Sequence, residues 1–192
     1  HSGDAYFEFV YASQWPIALT HLHKYHKAKK GSKPTAVQAQ PGLDDGRVAD
    51  FLKDIYSREP NGSNPLSSND IMTLMLLAMA ATYDPDPNAP NGFNLPYDLN
   101  SGQLIKSRWR QWLRHDPINL VSRYKNNLRK MRAVFLDCGR QDQFHIHYGM
   151  RQLSAQLTQH EITHRYEEFN GTHSGIDHRL DISLPFLAKA LS

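Results

Sequence analysis

The chain has 192 residues, the size of one ordinary domain, and its 22 Lys and Arg against 19 Asp and Glu leave a net charge of +3, too small to mark a nucleic-acid-binding surface. A single cysteine, Cys138, excludes an internal disulfide and a Cys-rich zinc site. The longest apolar run, Ile71 to Ala81, is about half the roughly 20 residues that span a bilayer, and no basic-then-apolar signal segment opens the chain; a soluble globular protein is expected, with a cytoplasmic location favoured.

Asp4 to Tyr11 is rich in aromatics and fits either a short strand or a helical turn. Ser13 before Trp15-Pro16 marks a helix start, and Ile17, Leu19, Leu22 and Tyr25 carry the stripe into the basic run Lys27 to Lys30. Gly31 to Gly46 reads as a loop. Arg47 to Tyr56 places Val48, Phe51, Leu52 and Ile55 on one helical face. Ser67 to Asp70 supply caps for a helix over Ile71 to Tyr83, apolar on nearly every face and so expected to be buried. Four prolines make Asp84 to Pro96 irregular. Helices are expected over Gly102 to Arg114 and from Pro117 to Met131.

The pattern changes at Arg132. Ala133 to Asp137 is a short apolar run ending at Cys138-Gly139, as expected of a buried parallel strand. Phe144 to His160 reads as a helix. Ile162 to Phe169 is a second strand ending at Asn170-Gly171, and His178 to Leu191 a last helix whose regular part Pro185 would delay. Strand–helix–strand–helix order predicts parallel strands flanked by helices, the α/β class.

Ligands of such sheets bind beyond the carboxyl ends of the strands. Asp142 follows the first strand and His173 the second, so both belong to loops at the same edge. An Asp that orients a His acting as general base is two-thirds of a nucleophile–His–acid triad. The stretches Leu136 to Phe144, His147-Tyr148-Gly149, His164 to His173 and Leu184 to Leu187 resemble the esterase D and enterochelin-esterase-like family of α/β hydrolases, with its Gly-x-x-Asp turn after one strand and Gly-x-His turn after the next. The opening His1-Ser2-Gly3-Asp4 with Tyr6-Phe7 is similar to the segment after the strand that follows the nucleophile. The close part covers about the last third of the chain. The resemblance implies a serine carboxylic-ester hydrolase with Asp142 as triad acid, His173 as base and no cofactor, acting on a small ester or thioester.

No Ser of this chain sits in Gly-x-Ser-x-Gly, the family's nucleophile motif. Ser174, after His173, has the wrong spacing. If the resemblance holds, the nucleophile, oxyanion hole and remaining strands lie outside these residues. Residues 1–10 would then end a core strand and its loop, 11–131 would form a largely helical cap, and 132–192 the core that carries acid and base. Trp15, Phe93, Tyr97, Trp109 and Trp112 are candidate substrate-lining residues of the cap. Because two or three strands leave an apolar edge open, the missing strands are expected from another segment, another chain or copies of this one.

Other clusters carry less. His145 with His147, and His21, His23 and His26, have zinc-like spacing but no completing ligand, so no metal is expected. Asp84, Asp86 and Asn88 imitate a calcium loop that Pro85 and Pro87 break. Asp137 reads as structural, and Cys138 as buried and unreactive. The alternative to an esterase is a non-catalytic hydrolase-like domain used for binding or assembly.

Overall fold

The computed structural model describes residues 5–25, 44–58 and 62–192. Its elements in chain order are α1 (Phe7–Val10), α2 (Trp15–Leu22), a 3-10 turn (His23–Tyr25), α3 (Arg47–Ser57), α4 (Ser68–Tyr83), α5 (Lys106–Leu113), α6 (Pro117–Leu128), β1 (Phe135–Gly139), α7 (Ile146–Gln159), β2 (Arg165–Phe169), a 3-10 turn (Asp177–Arg179) and α8 (Leu180–Leu191). The basic run at Lys27 to Lys30 and most of the loop from Gly31 lie outside the described residues. Helices and strands are mixed, compatible with the α/β class, and the sheet has two strands.

The chain divides into two compact units, residues 11–112 and residues 5–10 with 113–192. The first is helical. Trp15 and Trp112, both fully buried, pack at 5.7 Å between ring centroids, and Tyr11, Tyr83, Tyr97 and Trp109 join them. Phe51 seats α3 against His21 and Tyr25. Helix α4 starts with a capping box: Ser67 Oγ accepts from the Asp70 N–H while the Asp70 carboxylate accepts from the Ser67 N–H. The all-round burial expected of α4 is not found. Thr73, Leu76, Leu77 and Ala80 face inward, whereas Ile71 and Ala78 are exposed. Ala78, Ala81 and Thr82 make the exposure of its last turns inexpensive, whereas Ile71 in the first turn is a large apolar side chain left in solvent, so composition alone did not show which face is buried.

The second unit holds the sheet. β1 and β2 are parallel, with Phe135 opposite Arg165 and Gly139 opposite Phe169, and α7 makes the crossover. Val121 of α6, Leu157 of α7 and Ile162 form a core joined by Leu128, Val134, Leu136 and Leu153. Asp116 caps α6 by accepting from the Ile118 N–H, and also accepts from the Tyr6 and Phe7 N–H groups, which ties α1 to this unit. Gly149 lets α7 approach that segment, since a Cβ there would lie 2.1 Å from the Ala5 carbonyl oxygen. Residues 5–11 are therefore resolved as a helical turn, not a strand. Residues 113–131, read from sequence as part of the helical insertion, fall in the sheet unit because the apolar face of α6 packs on α7. Pro185 does not delay α8, which runs through it. Pro185 is solvent-exposed, so water can satisfy the carbonyl that lacks its N–H partner.

Candidate active site

Both strands end at the same edge, and two glycines let their exits touch. A Cβ on Gly139 would sit 2.4 Å from the Gly171 carbonyl oxygen and 2.7 Å from that of Thr172, so only glycine fits. Beyond β1 the chain stays bonded to the exit of β2. Arg140 N–H donates to Phe169 O and Gln141 N–H to Gly171 O, each at 2.9 Å. A turn follows in which His145, at φ 63°, leads into α7.

Asp142 sits in this turn, 4% exposed. Its Oδ1 accepts from the Phe144 N–H at 2.8 Å and the Ile146 N–H at 3.4 Å, so the carboxylate is aimed before any histidine arrives. Its Oδ2 lies 3.0 Å from His173 Nδ1. With Asp142 as acceptor, Nδ1 carries the donated proton and Nε2 is left as the basic ring atom. His173 is held twice more. Its backbone N–H donates to Gln143 Oε1 at 3.2 Å, and its ring meets the edge of Phe144 at 4.9 Å. The His173 side chain keeps 36% of its surface exposed while that of Asp142 keeps 3%, the arrangement of a buried orienting acid and an accessible base.

Beside His173 a cavity of about 230 Å³ is lined by Cys138, Ile146, Met150, Phe169 and Ile176. Cys138 Sγ is 3.9 Å from Asp142 Oδ2. Burial, reinforced by the Asp142 charge, pushes its thiol up to about 12, so it stays protonated and a poor nucleophile. Among the described residues no Ser hydroxyl bonds His173 Nε2. Asp137, on the other side of β1 from Cys138, bonds Arg179 and not a histidine.

The five aromatic candidates all belong to the helical unit. Trp15 and Trp112 are completely enclosed and Trp109 is 5% exposed; Phe93 and Tyr97 keep partial exposure. The other histidines do not assemble. His21 Nε2 bonds Asp70 Oδ1 at 2.8 Å, His145 meets the Phe9 ring, His147 is buried against Tyr148, and His26 lies outside the described residues. Among the described residues no three His, Cys, Asp or Glu side chains gather where a metal could sit. Asp86 is taken up by its turn, accepting from the Asn88 N–H and Asn94 Nδ2. No described helix is long and apolar enough to cross a membrane.

Sequence reasoning singled out Asp142 and His173, which the structure brings together, but not Gln143 and Phe144, which contact His173, nor Arg179, which bonds Asp137 and Glu167 in the two strands. The strand alternation offered one signal, since Asp137, Glu167 and Phe169 share a face. Compared with known proteins, the chain matches no protein-family profile and no curated sequence.

Proposed function

We propose that Asp142 and His173 are the acid and base of a serine carboxylic-ester hydrolase of the α/β-hydrolase type, with the nucleophilic Ser carried outside these 192 residues. One observation carries the reading: a buried Asp, fixed by backbone N–H groups, holds Nδ1 of a half-exposed His at 3.0 Å beyond the ends of adjacent parallel strands.

In this reading the Ser hydroxyl attacks the ester carbonyl carbon and its proton passes to His173 Nε2. The adduct collapses, the alcohol leaves, and His173 returns that proton to it. Water then attacks the acyl-serine with His173 again as base, and the acid departs as the Ser regains its proton. Asp142 keeps the imidazole in one tautomer and stabilises the imidazolium. No cofactor enters the cycle, and thioesters can follow the same course. The cavity beside His173 is largely apolar, which suits a small ester. Phe93 and Tyr97 are the aromatic candidates with surface available to line a pocket.

Further strands would complete the sheet. An apolar groove of about 360 Å³ between α6, α7 and β1, lined by Leu120, Val121, Leu136 and Leu157, and exposed Leu180, Leu184 and Leu191 on α8 support that part of the proposal.

A fluorophosphonate probe forms a covalent adduct with an activated Ser. The full-length protein should be labelled at one Ser, with labelling lost in the His173→Ala variant. Absence of labelling in the folded wild type would instead favour a binding or assembly domain.

A further inference from the structure

The loop that carries His173 leaves β2 at Phe169 and returns at the 3-10 turn Asp177–Arg179. Its returning end is bonded closely, with the Arg179 N–H donating to Ile176 O at 2.9 Å and His178 Nδ1 3.1 Å from Gly175 O, whereas the loop's own contacts beside His173 are longer. Thr172 and Ser174 exchange contacts at 3.3 and 3.4 Å, and Gly171 and Gly175, the latter at φ 69°, add backbone freedom. Gln141, Gln143 and Asp142 hold the near part of the loop, and the Arg179 side chain anchors its far end. Its Nε donates to Asp137 Oδ2 at 2.8 Å and its Nη2 to Glu167 Oε2 at 2.6 Å. Asp137 and Glu167 are direct partners across the two strands. The guanidinium also lies 4.7 Å from the ring centroid of Phe169, the last residue of β2. Its side chain is 13% exposed, so these contacts are partly desolvated and stronger than surface pairs.

From this geometry we infer that Arg179 is a positioning residue for His173, clamping the far end of the loop onto both strands so that the imidazole reaches Asp142. The catalytic part of this inference rests on the hydrolase reading; the mechanical part does not. The clamp fits Arg and not Lys. It needs two donors in a fixed fork and a flat face for Phe169. Loss of Arg179 would leave Asp137 without its cation and Glu167 with Arg165 alone, and the resulting imbalance across the strand pair could loosen the strands by itself. A fair test therefore removes that charge too.

The test compares, in the full-length protein, wild type, Arg179→Lys, and the uncharged triple variant Arg179→Met with Asp137→Asn and Glu167→Gln. Amide hydrogen exchange is read over residues 170–176 and over the two strands, alongside steady-state kinetics on a short-chain ester. In the triple variant the loop should exchange about tenfold faster while strand amides stay within about twofold of wild type. The kcat should fall about tenfold or more with KM within about twofold, and Arg179→Lys should fall between. Unchanged loop exchange, or equal acceleration of loop and strands, would overturn the clamp. If wild type turns over no ester, the hydrolase reading fails on its own, and the exchange result alone upholds or overturns the clamp.

Discussion

Gly139 is the residue on which the candidate site turns. The carbonyl oxygens of Gly171 and Thr172 occupy the space where its Cβ would be, and both are backbone atoms of the loop that delivers His173. Gly139→Ala must push the two strand exits apart. It should cost about 1–3 kcal/mol of stability, read by denaturant unfolding, and lengthen the Asp142–His173 contact. A variant as stable as wild type would show that the exits have slack. Asp142 and His173 were legible in the sequence because strand ends bearing Gly-x-x-Asp and Gly-x-His point to one edge. Gln143 and Arg179 were not, because the partner of Gln143 lies 30 residues away and those of Arg179 lie 12 and 42 residues away, and no periodicity records such pairs.

At the scale of elements, α7 is tied to β2 by charge. Arg151 grips Glu168 with bonds of 2.5 and 2.8 Å, and the Tyr166 hydroxyl donates to the same carboxylate. The Arg151 bond holds the Glu168 carboxyl down at about 2, from an ordinary 4.5; Arg179 and then Arg165 hold Glu167 low as well. A carboxylate whose folded-state value is depressed contributes stability above its unfolded value and loses it as pH falls through the folded one. The Glu168 contribution should thus be whole above pH 4.5 and gone near pH 2. Because Arg151 is half exposed, solvent limits it to about 1 kcal/mol. Denaturant unfolding of Glu168→Gln should fall below wild type at pH 6 and converge with it near pH 2. A gap unchanged across that range would contradict the assignment. Helix existence was legible from α2 onward, as in the apolar spacing of α3 and the caps of α4, but not at α1, where the aromatic run fitted a strand as well. Fine boundaries were not: β1 begins at Phe135 and β2 at Arg165, because pairing between the strands, not apolarity along one of them, sets their ends.

At the scale of the molecule, a helical unit and a sheet unit divide the chain, and the Asp142–His173 pair lies wholly in the sheet unit. Composition left nucleic-acid and membrane-spanning readings without support, and no described helix is long and apolar enough to cross a membrane, but composition had no means of assigning α6. That helix carries an apolar face like those around it, and only its packing on α7 puts it with the sheet. The open groove and exposed leucines of the sheet unit are the surface that the proposed remaining strands would cover. The most direct test of the central claim is turnover of a short-chain p-nitrophenyl ester by the full-length protein, wild type against His173→Ala, with thermal unfolding measured on both. The account predicts a loss in kcat of roughly 10³-fold or more with unfolding temperatures within about 3 °C. Equal turnover by the two folded proteins would contradict it.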